Sequence, residues 1–375
     1  MTRYAHVTGW GMAVPERVLT NRELEAMVDT NDEWIVSRTG IRERRIADKN
    51  DSTATLATRA ARRALESADI GPEAVDLIIV ASASPDHLFP ATACLVQDAL
   101  GAAKAGAFDL SAACSGFIFA IHMASQAIQT GAIDAALIIG SETLSRLLNW
   151  EDRSTAILFG DGAGAFVLEA RETPGGVMAG VMRSDGSGGG LLAVQAGGSR
   201  FPASHETVER KQHTITMNGR EVFRFATHVM ASATREVVKK AGLQLDDIEV
   251  VVPHQANLRI IEAAARGLRL PMERFIVNID RYGNTSSASI PIAVCEAVHA
   301  GRIKPGDHVV LVGFGAGLTW GAVALQWVET ERKVSRSRRG RIRIRGLLAR
   351  LRSAIMRWMR RLEGLIWGAA NEPER

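Results

Sequence analysis

Ala68-Asp69-Ile70-Gly71-Pro72-Glu73-Ala74-Val75-Asp76-Leu77-Ile78-Ile79-Val80-Ala81 lays without gaps on Ala241 through His254, with Asp76 falling on Glu249 and Ala81 on His254. A second pair follows in the same order. Gly131 lies seventeen positions after Cys114 and Gly301 the same seventeen after Asn284, and each glycine is followed two residues later by Ile133 or Ile303. Both segments then run into an apolar strand ending in Gly140 or Gly313. Two matched stretches in one order are harder to produce by chance than a single short match. Such long-period self-similarity predicts two stacked copies of one unit, residues 1–175 and 176–330.

The strands inside those copies identify the architecture. Asp76-Leu77-Ile78-Ile79-Val80-Ala81, Ala135-Ala136-Leu137-Ile138-Ile139-Gly140, Glu249-Val250-Val251-Val252-Pro253 and His308-Val309-Val310-Leu311-Val312-Gly313 are continuous apolar runs that alternate with helix-like segments. Strands of that kind belong to sheets covered by helices on both faces, an α/β layered fold. Open sheets of this class place their chemistry at the carboxyl ends of strands. The duplication thus gives a geometric reason for distant residues to meet.

With 375 residues and 46% hydrophobic content, the chain can bury one large core or two joined ones. Its three cysteines, Cys94, Cys114 and Cys295, are odd in number and share no metal-type spacing; the histidines form none either. Met1-Thr2-Arg3-Tyr4-Ala5-His6 leads into a strand-like segment without a signal-type apolar stretch. No run of about 18 uncharged apolar residues offers a membrane span. These features predict a protein of the reducing cytoplasm. The basic balance of the chain is local: residues 331–375 hold thirteen Arg and one Lys against four Glu, a net of +10, which leaves residues 1–330 at −6. A nucleic-acid partner is not indicated, because the body is mildly acidic.

Three residues stand out at the strand ends. Cys114 follows Gly106-Ala107-Phe108-Asp109-Leu110 and precedes a helix-like Ser115-Gly116-Phe117-Ile118-Phe119-Ala120. A thiol at that turn faces the positive end of the helix dipole, which favours the thiolate. Small neighbours, Ala112, Ala113 and Gly116, leave space for a substrate; the competing reading is a small core residue. Cys94 and Cys295, within apolar stretches, read as core. His254, after Pro253, is either a satisfied core histidine or part of a site. Asn284, in Tyr282-Gly283-Asn284-Thr285-Ser286-Ser287, suits a turn or helix cap as well as a catalytic role. The glycine-rich Asp185–Gly190 lacks the Lys-Ser/Thr ending of a phosphate loop, and Gly160–Gly164 precedes a strand; both read as turns.

Taken together, Ala112-Ala113-Cys114-Ser115-Gly116, Pro253-His254-Gln255-Ala256-Asn257 and Gly283-Asn284-Thr285-Ser286 resemble the 3-oxoacyl-[acyl-carrier-protein] synthase III family, condensing enzymes on the thiolase fold. The likeness runs from about residue 3 to 328. It includes Asp29-Thr30-Asn31-Asp32-Glu33-Trp34-Ile35-Val36, Arg38-Thr39-Gly40-Ile41, Phe159–Gly164 and Gly313-Phe314-Gly315-Ala316-Gly317-Leu318-Thr319-Trp320. Related elongating enzymes pair their cysteine with two histidines, and thiolases carry a second cysteine where this chain has Gly315-Ala316-Gly317.

The resemblance implies a thiolase-like fold of two pseudo-symmetric halves in an αβαβα sandwich. It further implies a Cys114-His254-Asn284 triad and an oxyanion hole from the backbone N–H groups of Cys114 and Ala316. Many relatives have glycine at position 316. An acyl-CoA and malonyl-acyl carrier protein are the implied substrates, with no metal and no permanently bound cofactor. Thr30, Trp34, Arg38, Arg153 and Asn257 are implied in coenzyme A binding, with Trp34 and Arg153 sandwiching the adenine. Arg224 and Arg259 correspond to the carrier-protein patch, and Phe89 to a residue closing the acyl pocket across a homodimer interface. The competing readings are a specialised condensing enzyme or acyltransferase on the same triad, and a non-catalytic acyl-binding subunit.

The chain continues past the end of the resemblance. Arg336-Ser337-Arg338-Arg339-Gly340-Arg341 reads as a disordered linker. After it, Leu347, Leu351, Ile355, Trp358, Leu362 and Ile366 recur at helical spacing, with Arg350, Arg357 and Arg361 off that face. A basic amphipathic helix predicts contact with a membrane surface or an acidic partner; packing on the protein's own body is the alternative.

Overall fold

The computed structural model describes residues 2–328 and, in the C-terminal stretch, Leu348, Leu351, Arg352, Ala354 to Met356 and Trp358 to Glu363. Two main sheets carry the architecture. The first, five strands drawn from residues 4–171, runs in the order Tyr4–Ala13, Gly162–Arg171, Ala135–Glu142, Leu77–Ala81, Gly106–Leu110. Leu77–Ala81 is parallel to both its neighbours, and the other pairings are antiparallel. The second, four strands from residues 176–326, runs Val250–Pro253, His308–Gly315, Thr319–Gln326, Gly176–Ser184, with only the first pair parallel.

Helices fill the space between and outside the sheets, because each sheet is apolar on both faces. Gly116–Gln129 and Ser289–His299 lie between them: Phe117, Ile118, Ile121, Ile290 and Val294 share one core with Ile79 and Ile138 of the first sheet and Val252 and Leu311 of the second. Thr53–Ala68 covers the outer face of the first sheet through its alanine-rich side, capped at Ser52. Gly219–Lys240 and Leu258–Leu268 cover the outer face of the second. The result is the predicted α/β thiolase-like sandwich of five layers.

One detail of the sequence overlay changes. Positive φ occurs at Ala113 (46°) and Ser286 (48°), and a short 3-10 turn follows each, Ala113–Ser115 and Ser286–Ala288. Backbone geometry therefore matches Cys114 with Ser287, and Asn284 lies three residues ahead of that equivalence. The helices account for the offset. Gly116–Gln129 has 14 residues and Ser289–His299 has 11, so aligning their terminal glycines displaces their first turns by three.

Cys94 also departs from expectation. It is exposed, whereas Ala93, Val96 and Leu100 form the buried side of helix Thr92–Leu100. The helix lies beside Gly106–Leu110, an outermost strand of its sheet, so its far side has nothing to pack against. Cys295 is buried as expected. In the tail, Leu351, Ile355, Trp358, Arg361 and Leu362 are helical and exposed. Leu347, Arg350, Arg357, Ile366 and the 336–341 linker lie outside the described residues.

Candidate active site

Register alone brings the strand ends into line. Ala81 pairs with Leu110 and Gly140 in the first sheet, and Pro253 with Val312 in the second. His254 continues from Pro253, its N–H donating to Val312 O at 2.8 Å. Two glycines on strand His308–Gly315 then let the halves close. A Cβ built on Gly313 would stand 3.3 Å from His254 Cβ, and one on Gly315 only 2.7 Å from the Cys114 backbone nitrogen. Residues two apart on a strand face the same way. His254 and Cys114 therefore flank one face of this strand end.

Asn284 reaches the same place from another direction. Its backbone is held by Asn284 N–H to Leu158 O at 2.8 Å and by Gly160 N–H to Asn284 O at 3.0 Å. Its side-chain Oδ1 accepts from the Ser286 N–H at 2.8 Å, so the amide nitrogen is the end left for another partner. The Ser286–Ala288 turn packs on the Ala113–Ser115 turn, and the Ser286 hydroxyl reaches the Cys114 sulfur. One residue later Ser289 Oγ lies 2.7 Å from His254 Nδ1.

Electrostatics separates the two titratable groups. Burial pushes the Cys114 thiol up to about 12, and the Ser286 hydroxyl opposes this. Desolvation outweighs the helix terminus here, so burial favours the thiol over the expected thiolate. Burial pushes His254 down to about 3, so its imidazole is neutral at pH 7. Ser289 Oγ, which accepts from the Gln255 N–H at 3.4 Å, holds the ring at Nδ1; with the serine donating there, the ring proton sits on Nε2. That Nε2 is buried and has no hydrogen-bond partner among the described residues.

A cavity of about 430 Å³ opens on Cys114, Ser286 and Ala316 and is walled by Leu144, Leu147, Phe159, Leu192 and Ile215. His254 and Asn284 do not line it. Thr319 Oγ1 lies 3.0 Å from Ala112 O and 3.1 Å from Ala316 O, joining the nucleophile turn to the turn that carries the second backbone N–H.

Away from the cysteine, the Trp34 ring meets two guanidinium groups, Arg153 at 5.1 Å and Arg38 at 5.6 Å from its centre. Arg153 is held there by donation to Asp29 O at 2.8 Å. Thr30 Oγ1 is buried without a partner among the described residues. Asn257 caps helix Leu258–Leu268 through Oδ1 and donates from Nδ2 to Arg38 O at 2.9 Å, which leaves one Nδ2 hydrogen for a ligand. Arg259 stacks on Phe223 at 5.4 Å, next to the exposed Arg224, itself paired with Glu221. Phe89 is 86% exposed and lines no part of this chain's cavity.

Comparison with known proteins agrees with this fold. Residues 108–186 match the family model for 3-oxoacyl-[acyl-carrier-protein] synthase III, and residues 238–327 match the model for its C-terminal part. A β-ketoacyl-[acyl-carrier-protein] synthase III of Symbiobacterium thermophilum is 57% identical over 321 residues, covering 86% of this chain and 97% of its own. The chain belongs to the 3-oxoacyl-[acyl-carrier-protein] synthase III family. Among solved structures, the synthase III of Thermus thermophilus is 49% identical with a TM-score of 0.81, over 86% of this chain and 99% of that one. A priming β-ketosynthase from a polyketide biosynthetic pathway is 36% identical with a TM-score of 0.81, over 88% and 98%.

Within this synthase III chain, sequence reasoning did not single out Ser286, Ser289, Thr319 and Glu142 as parts of the site. Serines after Asn284 and a threonine near a turn look like ordinary caps. Only Glu142 left a signal, a carboxylate at the end of the apolar strand Ala135–Glu142.

Proposed function

We infer that the protein condenses an acyl-CoA starter with malonyl-acyl carrier protein to give 3-oxoacyl-carrier protein, coenzyme A and carbon dioxide, the step that initiates fatty-acid synthesis. The observation that carries this reading is a buried thiol lining an apolar cavity, at the same strand end as a buried imidazole whose Nε2 is unpartnered among the described residues. In the first half-reaction the Cys114 sulfur attacks the thioester carbon, and its proton leaves with the coenzyme A thiolate as a free thiol. The oxyanion is met by the backbone N–H groups of Cys114 and Ala316; losing one such donor costs roughly 3–4 kcal/mol of barrier. Alanine at 316 keeps that N–H.

In the second half-reaction malonyl thioester loses carbon dioxide and the electron pair passes to its α-carbon. The resulting enolate oxygen accepts from His254 Nε2–H and the Asn284 amide. The α-carbon then attacks acyl-Cys114 and expels the sulfur, which regains a proton from solvent. Trp34 with Arg153 suits the adenine, a planar group between an aromatic ring and a guanidinium. Thr30, Arg38 and Asn257 serve the rest of the coenzyme, and Arg224 with Arg259 the acidic carrier protein.

The same reading includes a homodimer. Gly106–Leu110 has one unpaired edge, Phe108 on it is exposed, and so are Leu88 and Phe89 in the loop that leads into helix Thr92–Leu100. Unprotected edges with apolar side chains are pairing surfaces. Phe89 then closes the partner's acyl pocket. Among the described residues no helix is long and apolar enough to cross a membrane. We place the enzyme in the cytoplasm, with the tail at an anionic membrane surface; exposed Leu351, Ile355, Trp358 and Leu362 beside arginines support this.

Intact-mass measurement tests the assignment. After incubation with acetyl-CoA the wild type gains one acetyl group, and Cys114→Ser gains none. His254→Ala and Asn284→Ala gain the adduct but release no carbon dioxide from malonyl-carrier protein. A wild type without adduct overturns the scheme. A second reading, a specialised condensing enzyme, has the polyketide-pathway relative in its favour; turnover across acetyl-, isobutyryl- and octanoyl-CoA separates the two.

A further inference from the structure

Glu142 ends strand Ala135–Glu142, is fully buried, and has no task in the reaction described above. Its carboxyl group meets both halves of the molecule. From the first half, Ser84 Oγ donates to Oε2 at 2.6 Å and Ser82 Oγ at 3.2 Å, and the Ala83 N–H is shared between Oε2 at 3.1 Å and Oε1 at 3.2 Å. From the second half, Ser287 Oγ lies 2.9 Å from Oε1 and the Ser287 N–H 3.5 Å. Glycine at 140 permits that approach, since a Cβ there would stand 2.3 Å from Ser287 O.

The Ser286 hydroxyl is a further donor to the carboxyl. Ser287 Oγ also lies 2.7 Å from Ala81 O, a carbonyl with no proton to give, and its one hydrogen cannot fill both contacts. A proton on Oε1 lets both be hydrogen bonds, the serine donating to Ala81 O and accepting from Glu142. Burial acts in the same direction, holding the carboxyl above its usual range. Cys114 is the titratable group that faces it; Ser82, Ala83, Ser84, Ser286 and Ser287 are uncharged, and no ion pair among the described residues reaches it. A carboxylate here would oppose formation of a thiolate on Cys114.

We propose that Glu142 is a positioning residue that works as a neutral carboxylic acid: its Oε1–H donates to Ser287 Oγ, ties the Ser286–Ala288 turn to the first half, and keeps a fixed anion away from the Cys114 sulfur. The consequence for the thiol rests on Cys114 being the nucleophile; the protonation state does not. Two readouts test it on the full-length protein. The infrared difference spectrum of wild type minus Glu142→Gln at pH 7 shows a protonated-carboxyl C=O band that shifts in D2O; carboxylate bands in its place overturn the proposal. The pH profile of Cys114 alkylation by iodoacetamide keeps its midpoint in Glu142→Gln, because one neutral group replaces another. A midpoint lowered by half a unit or more shows that the wild type holds an anion, and overturns it. Should Glu142→Gln not fold, 13C NMR of wild type labelled at glutamate Cδ reads the same group. One resonance keeping its protonated shift at pH 7 supports the proposal, and full ionisation of every glutamate overturns it. Absence of condensing activity would leave the infrared band in place, so the two failures are distinguishable.

Discussion

His254 links the chemistry to stability at the scale of one residue. Its ordinary value is 6.5 and the folded value about 3, so on acidification the unfolded chain binds a proton that the folded one refuses. Stability from this group is present above pH 6.5 and is lost as pH falls toward 3. Between pH 7 and 5 the wild type should lose about 2 kcal/mol that His254→Gln does not lose, read from urea unfolding of both at the two values. Equal losses would show that the imidazole is charged in the fold. Strand ends drew attention to Cys114 and His254, and the repeat drew it to Asn284, but it was the resemblance to the synthase III motifs that joined the three into one triad. Their supports were not legible. Ser286 and Ser289 belong to a polar cluster that a cap would also use, and only the folded turn aims one at sulfur and the other at Nδ1.

At the scale of elements, the strand His308–Gly315 governs how near the two halves approach. Gly315→Ala puts a methyl group 2.7 Å from the Cys114 backbone nitrogen, where backbone must move. We expect a stability loss of roughly 1–3 kcal/mol from overpacking. Acyl transfer should slow by about 100- to 1,000-fold as an oxyanion donor shifts. Denaturant unfolding and single-turnover acylation measure the two; unchanged acylation would remove Gly315 from the architecture of the site. Continuous apolar runs located Leu77–Ala81, Ala135–Glu142, Val250–Pro253 and His308–Gly315 from sequence alone, since buried strands have no polar face to interrupt them. The three-residue offset between the copies was hidden. A gapless overlay follows the helix-ending glycines, whereas the turns obey the positive φ at Ala113 and Ser286, which neither residue type advertises.

For the whole molecule, edge and tail make separate predictions. Phe108→Arg on strand Gly106–Leu110 should yield a monomer in sedimentation analysis and lower condensing activity with it; a persisting active dimer would place the interface elsewhere. Truncation after Thr330 should leave condensation intact and abolish pelleting with vesicles containing phosphatidylglycerol. Equal pelleting of both forms rules out the tail as the anchor. The charge separation between body and tail was plain in the residue order, but the exposure of Cys94 was not, because the sequence cannot say which strand is outermost and so which helix beside it lacks a neighbour. The Thr319 hydroxyl has one further consequence: within reach of both Ala112 O and Ala316 O and accepting from Ser115 Oγ, it ties the nucleophile turn to the opposite strand end. A ligand wedged there would act on the turn without touching the sulfur.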